Sequence, residues 1–328
     1  MAPHNMVFPI ALSLKGLTLM KTSLKCVFKD VRRDWQLYAF LLVPVLYIVI
    51  FAYVPMAGLT IAFRSYSARL GIWGSKWVGL ENIIKFFTSQ YFGRTVANTI
   101  LLSAYSLVCS FPIPVIFALM INCLRSQRMK NVCQTIVMMP HFISIVVLVG
   151  MLFQFFNART GLYGNIFYAL FGSYPSDPFG NAENFRHFYI WSGVWQGFGW
   201  GSIIYVAALS AVDPNLHEAA TIDGASRFQR VLHIDFPTIL PTIVIMLILN
   251  TGSIMSIGFE KVYLMQNPLN LSTSEVISTY VYKVGLSSEG SVDFSYSTAI
   301  GLFNSIVNMI FIVVVNAIAG RVSENSLW

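Results

Sequence analysis

The sequence predicts an all-α membrane protein, with six transmembrane helices preceded by an N-terminal interfacial helix. Three observations predict it. The 328 residues are 56% hydrophobic and only 11% charged, whereas soluble chains carry about 25% charged residues. The apolar runs are long and do not alternate, so they suit helices and not the strands of a barrel. The net charge of +7 is that of a membrane chain whose basic loops face the cytoplasm and anionic lipid. No basic stripe with interleaved aromatics lies in a soluble segment, so nucleic acid is not an expected partner.

Residues 1–36 read as a cytoplasmic tail and interfacial helix. Lys15, Lys21, Lys25, Lys29, Arg32 and Arg33 stand among Leu17, Leu19, Met20, Leu24, Val27 and Phe28, the pattern of a helix lying on a leaflet. For residues 1–14 a disordered tail fits equally well. No Lys or Arg precedes the apolar run Met6–Leu14, and Pro9 interrupts it, so it is a poor signal peptide. A six-span domain follows over 37–320, with a short cytoplasmic tail over 321–328. The expected spans are Leu37–Phe63, Thr95–Asn122, Gln134–Phe156, Tyr189–Ala211, Thr238–Gly258 and Thr298–Gly320, each near the roughly 20 residues a bilayer requires. The fourth is the least apolar. Pro44, Pro55, Pro112 and Pro114 fall inside the first two, where membrane helices tolerate them.

Orientation follows from Lys and Arg near the span ends. The basic N-terminus, Arg125, Arg128 and Lys130 place the N-terminus in the cytoplasm. The loop Ser65–Arg94, with Arg69, Lys76, Lys85 and Arg94, dissents. A cytoplasmic N-terminus and six spans put both termini and the loop 214–237 in the cytoplasm. Ser65–Arg94, Asn157–Phe188 and Phe259–Ser297 are then outer loops.

Several chemistries are missing. There is no Gly-Lys dipeptide, hence no P-loop for ATP. His217-Glu218-Ala219-Ala220-Thr221 begins like a zinc-protease H-E-x-x-H, but Thr221 occupies the second ligand position. Cys26, Cys109, Cys123 and Cys133 show neither zinc nor C-x-x-C spacing. Catalytic residues, metal ligands and a cofactor of the chain's own are therefore not expected. The spans hold almost no ionisable residue apart from His141, which argues against a self-powered carrier. For His141 the default is helix capping or packing. Gly193, Gly197 and Gly201 form a tandem G-x-x-x-G, read first as close helix packing and second as a substrate-facing stripe. Polar residues on the spans are pathway candidates: Gln154, Asn250, Ser253, Ser256, Asn304 and Asn308, with Asn98 and Ser103 beside them. Each serves equally well as an interhelical hydrogen-bonding group.

The polar island Glu218–Pro237, EAATIDGASRFQRVLHIDFP, is the specific signal. Pro214 predicts a helix over about Asn215–Ile222. Glu218 lies in its first turns, and Ala219 and Ala220 leave a narrow surface that fits a groove. Gly224 supplies a left-handed stop, after which Phe228–Phe236 forms a second amphipathic segment closed by Pro237. The combination reads as a plug for a socket on another protein.

That stretch resembles the E-A-A-x-x-D-G-A pattern of binding-protein-dependent ABC importer permeases, with Glu218, Ala219, Ala220, Asp223, Gly224, Ala225, Ile234 and Pro237 on the motif. Phe228 departs from the pattern's aromatic position, which Phe236 can fill. YVPMAGLTIAF at Tyr53–Phe63, WVGLENIIKFF at Trp77–Phe87, NTILLS at Asn98–Ser103, FPIPVIFALMIN at Phe111–Asn122 and QTIVMMPHFISIVV at Gln134–Val147 resemble the maltose-permease-like, type I sugar and polysaccharide subgroup. Within it they are similar to the first membrane subunit of a bacterial alginate importer. The resemblance implies a multi-pass protein of the bacterial inner membrane, paired with a second homologous permease. It implies two ATPase subunits carrying ATP and Mg, an extracytoplasmic solute-binding protein, and a saccharide cargo. It assigns ATPase coupling to Glu218, Ala219, Ala220, Asp223, Gly224 and Ala225. An anionic cargo such as alginate would suit Arg64, Lys76, Arg94 and Arg186 along the outer entrance. A membrane-embedded polysaccharide enzyme and a non-transporting ATPase-bound scaffold are the alternatives.

Overall fold

The computed structural model describes residues 33–124, 126–252, 255, 257–287 and 292–322. Most of the expected interfacial helix, together with Arg125, Ser253, Ser256 and residues 323–328, lies outside the described residues. The chain divides into two units, Met1–Gly58 and Leu59–Trp328.

Among its described residues the first unit is a single apolar helix. α1 (Trp35–Ile48) carries Pro44 within it and buries no side chain. It continues through a π-helical turn, Val49–Tyr53, whose wide pitch lets the Val54 N–H reach the Val49 carbonyl. Pro55 comes next. Its ring has no N–H to give and crowds the carbonyl four residues back, and an i→i+5 turn relieves that crowding. The expected first span is present as Trp35–Phe63.

In the second unit a two-strand hairpin, β1 (Arg64–Ser65) with β2 (Lys76–Trp77), is antiparallel and pairs Arg64 with Trp77. After α2 (Glu81–Phe87), α3 (Phe92–Ser110) and α4 (Pro112–Asn122) form one apolar run, Phe92–Asn122. Pro112 starts α4, where its missing N–H is not needed. The expected third span is not straight. α5 (Gln127–Met138) and a 3₁₀ turn, Met139–Phe142, meet α6 (Ile145–Phe155) at 94°. Ile143 is extended at the break. The Gln196 amide donates to its freed carbonyl at 2.7 Å, and Ser144 Oγ caps the next helix by accepting from Val147 N at 3.3 Å.

α7 (Leu162–Phe171) precedes α8 (Ala182–Gly201) and α9 (Ile203–Leu209). These last two occupy the fourth expected span, which is too polar to qualify as a span by length and apolarity. α10 (Pro214–Ile222) and α11 (Arg227–Arg230) build the loop, and α12 (Phe236–Gly252) follows. Pro237 was expected to close the loop's second segment. Instead α11 runs through a π-turn, Val231–Asp235, directly into α12, giving one span from Arg227 to Gly252. The same proline geometry as at Pro55 explains the continuity. α13 (Phe259–Met265), α14 (Leu271–Ser274) and α15 (Ile277–Gly285) fold over the far end, and α16 (Phe294–Val322) returns. Among the described residues four helices are long and apolar enough to cross a membrane, and five if the bent pair counts as one.

The core is divided to match. One cluster around Leu102, Phe185, Ile190 and Val262 joins α3, α8 and α13. A second around Phe86, Ile277, Tyr280 and Ile300 joins α2, α15 and α16. A third, with Val115, Ala118, Tyr205 and Ile239, sits nearer the loop.

Candidate functional site

At the loop end each backbone turn has a local cause. Asp213 caps α10, its carboxylate accepting from the N–H of Asn215 at 2.9 Å, and Pro214 follows as the first helical residue. The helix stops in a Schellman arrangement. Ala225 N–H reaches the Ala220 carbonyl at 2.9 Å, and Gly224 N–H reaches the Thr221 carbonyl at 3.1 Å. Gly224 has φ +79°, where any Cβ meets the adjoining carbonyl. Ser226 and Gln229 then form a reciprocal capping box for α11. The Arg230 guanidinium donates to Thr221 Oγ1 at 2.7 Å, binding the two short helices together.

A buried carboxylate fastens this corner to the bundle. Asp235 accepts from Asn122 at the end of α4 at 3.2 Å and stands 3.1 Å from His217 Nε2. The six coupling residues lie together on or beside α10: Glu218, Ala219, Asp223 and Gly224 are exposed, with Ala220 and Ala225 half-buried. Glu218 has no side-chain partner among the described residues. Around it Leu216, Ile222 and Phe228 are exposed, Ile222 to 86%. A polar loop that leaves such apolar groups uncovered presents a contact face.

The opposite end is tied within the chain. Arg94 pairs with the buried Glu275. Asn98 donates to the carbonyls of Ser272 and Glu275 at 2.9 and 3.1 Å, and accepts from Arg186 at 3.0 Å. Arg64 lies against the rings of Trp73 and Trp77 and donates to the carbonyls of Trp73 and Ser75. Three of the four cations expected along the outer entrance therefore have structural partners.

Between the two ends lies a cavity of about 420 Å³. Ser103, Ser106 and Ser110 of α3, Tyr189 of α8 and Asn250 of α12 give it polar walls, and Gly193, Gly197 and Gly201 a smooth one. The tandem glycines thus border the cavity, the second reading of that stripe, while Gly201 also packs closely, since a methyl group there would stand 3.3 Å from the Pro114 ring. Gly199 makes the close approach instead, since a methyl group there would stand 2.3 Å from the Val137 carbonyl oxygen. His141 stacks on Trp200 at 4.5 Å, a packing role. Of the pathway candidates, Asn250 lines the cavity and donates to the Met246 carbonyl at 2.7 Å. Asn308 accepts from Met255 N–H at 2.8 Å. Asn304 keeps a buried carbonyl without a partner, and Gln154 is exposed near the end of α6. Sequence reasoning passed over Lys261, which the outer-loop pattern disguised as a surface charge beside Glu260. It is buried, donates to the Tyr189 carbonyl at 2.7 Å and lies over that ring. Burial, with no carboxylate among the described residues paired to it, pulls its pKa down to about 8.

A bundle with an exposed, capped, acid-bearing loop and a part-open cavity with polar groups in its wall is a membrane component worked by a partner. Residues 110–324 match the inner membrane components of binding-protein-dependent transport systems, and the chain belongs to that family. It is a multi-pass permease component of an ABC importer and not an enzyme. It is 40% identical over 329 residues to the protein LplB of Bacillus subtilis (strain 168), covering 99% of both chains. It is also 40% identical over 292 residues to YteP of that strain, a polygalacturonan/rhamnogalacturonan transport system permease, covering 89% of this chain and 90% of the relative. In structure it is similar to a chain of a bacterial ABC transporter that imports the acidic polysaccharide alginate, with TM-score 0.83 and 37% identity over 90% of this chain and 99% of that one.

Proposed function

We propose that this chain is one of two similar, non-identical permeases in a bacterial importer of acidic oligosaccharides, driven through the loop 214–237. The observation that carries the coupling role is the α10 corner. Its backbone is satisfied internally, yet Glu218 and the apolar groups Leu216, Ile222 and Phe228 have no cover. Two separate ATPase subunits, which hold ATP and Mg, receive this corner on the cytoplasmic side, where both termini also lie. Glu218 pairs with a basic residue beside the ATPase groove, and Gly224 sets the angle of exit. A solute-binding protein delivers the cargo at the Arg94–Glu275 end. ATP-driven closure of the ATPase pair moves the corner, and the cavity alternates between two discrete arrangements with populations set by differential ATP binding. The acidic cargo is supported by the polygalacturonan and alginate importers to which the chain is similar.

The test is reconstitution of the full complex in proteoliposomes. Glu218→Ala and Gly224→Asp are expected to lower uptake and substrate-stimulated ATP hydrolysis by about 10-fold or more, the loss from removing one central anchor of a contact. Unchanged uptake in both variants sinks the coupling role. Saturable uptake of neutral sugars alone sinks the acidic cargo.

A further inference from the structure

We infer that Lys261 is the counter-charge for a carboxylate of the cargo, and that Gly193 is the gap in the cavity wall through which its ammonium acts. The inference rests on the saccharide-permease reading and names the sugar type the cavity takes, a uronate.

An ammonium has three donors. Lys261 spends one on the Tyr189 carbonyl and lies 4.8 Å from the centre of that ring. Among the described residues no carboxylate pairs with it, although only 7% of the residue is exposed. Burying a cation without an acid is costly, and its depressed pKa, about 8, reflects that cost. Groups held this way are candidates for a functional role.

Its position decides which role. A methyl group at Gly193 would stand 3.1 Å from Lys261 Nζ, so the ammonium lies directly behind Gly193, a residue that lines the cavity. Tyr189, which holds the lysine, forms the adjoining wall, and Gly258 belongs to the same lining. A second observation points to a ligand. Ser103 is one of the residues lining this cavity, its buried Oγ has no hydrogen-bond partner, and Ser106, Ser110 and Asn250 add polar groups around the wall. Among the described residues no Asp, Glu, Lys or Arg lines the cavity itself. One recessed positive charge, hydroxyl and amide groups and a smooth glycine wall match a sugar ring that carries hydroxyls and a single carboxylate. A neutral sugar would use the hydroxyls and gain nothing from the cation.

The experiment uses the purified permease–ATPase complex without its binding protein. Calorimetry measures affinity for an oligogalacturonate and for its methyl ester, which has the same ring and no charge. Lys261→Met is expected to weaken the acid at least about 10-fold, the loss of roughly 1.4 kcal/mol, and to leave the ester unchanged. Lys261→Arg should recover most of the acid affinity, and Gly193→Ala should weaken acid binding by screening the ammonium. Equal losses for acid and ester, or no loss for either, overturn the inference, and a melting curve shared with the unaltered complex shows that the fold is intact. If the unaltered complex binds only the ester, the acidic-cargo reading fails first. If it binds the acid and Lys261→Met does not notice, the assignment of Lys261 alone fails.

Discussion

Charge is treated in opposite ways at the two ends of the second unit. At the far end Glu275 is buried beneath Arg94, and Asn98, donating to the Glu275 carbonyl, accepts from Arg186, so these groups find their partners inside the chain. At the loop end Glu218, Asp223 and Arg227 stand in the open. Of the described acids and bases there only Asp235 is buried, held by His217 and Asn122. A matched, buried network has one low-energy arrangement, because separating its members strands a charge in apolar surroundings. An exposed set has many arrangements and awaits a partner to choose among them. The far end is therefore a fixed cap, and the loop end is the input.

The largest effect should come from breaking the cap. Arg94→Ala leaves Glu275 buried without its cation, at a cost on the order of 3 kcal/mol. The denaturation midpoint of the purified complex should fall sharply, and the coupling of ATP hydrolysis to uptake should survive in whatever complex remains. A variant as stable as the parent would show that the cap is not fixed by this pair. His217→Ala should act more mildly, at roughly 1–2 kcal/mol, because Asp235 loses one hydrogen-bonded partner and keeps Asn122. Here the contrast reverses: a small change in the midpoint should accompany a larger loss of uptake, since the corner is held to the bundle through Asp235. Should stability and uptake fall in proportion, the corner is simply part of the fold.

How much of this was legible in the sequence follows the same division. Local rules wrote the loop. Asp213, Pro214, Gly224 and the Ser226–Gln229 box act over two to four residues, and the motif could be read directly. Pro237 alone reads as a stop and is not one. A proline two residues beyond a π-turn continues a helix, and nothing in the local pattern marks the turn. The apolar spans were visible by length, yet the 94° break between Phe142 and Ile145 was not. That break depends on Gln196, 53 positions from the Ile143 carbonyl it satisfies. The cap was equally hidden. Asn98 read as a pathway residue because its partners at Ser272 and Glu275 lie more than 170 positions away. Lys261 escaped for the same reason, since burial by α8 is a tertiary fact.

The glycines of α8 give the smallest and sharpest contrast. Three of them form the tandem stripe, but it is Gly199, outside the stripe, that is pressed against the Val137 backbone, while Gly197 has no atom within 4 Å of where a methyl group would stand. Adding that methyl at Gly197 removes the conformational cost of a glycine inside a helix, worth up to about 1 kcal/mol. Gly197→Ala should therefore raise the denaturation midpoint slightly. It also places a carbon on the wall of the cavity, so uptake of long oligosaccharides should slow while that of short ones holds. Kinetics of uptake against chain length would check this. A rise in stability with no length dependence would mean that the stripe does not border the path of the cargo. A fall in stability would return Gly197 to the packing role that its spacing first suggested.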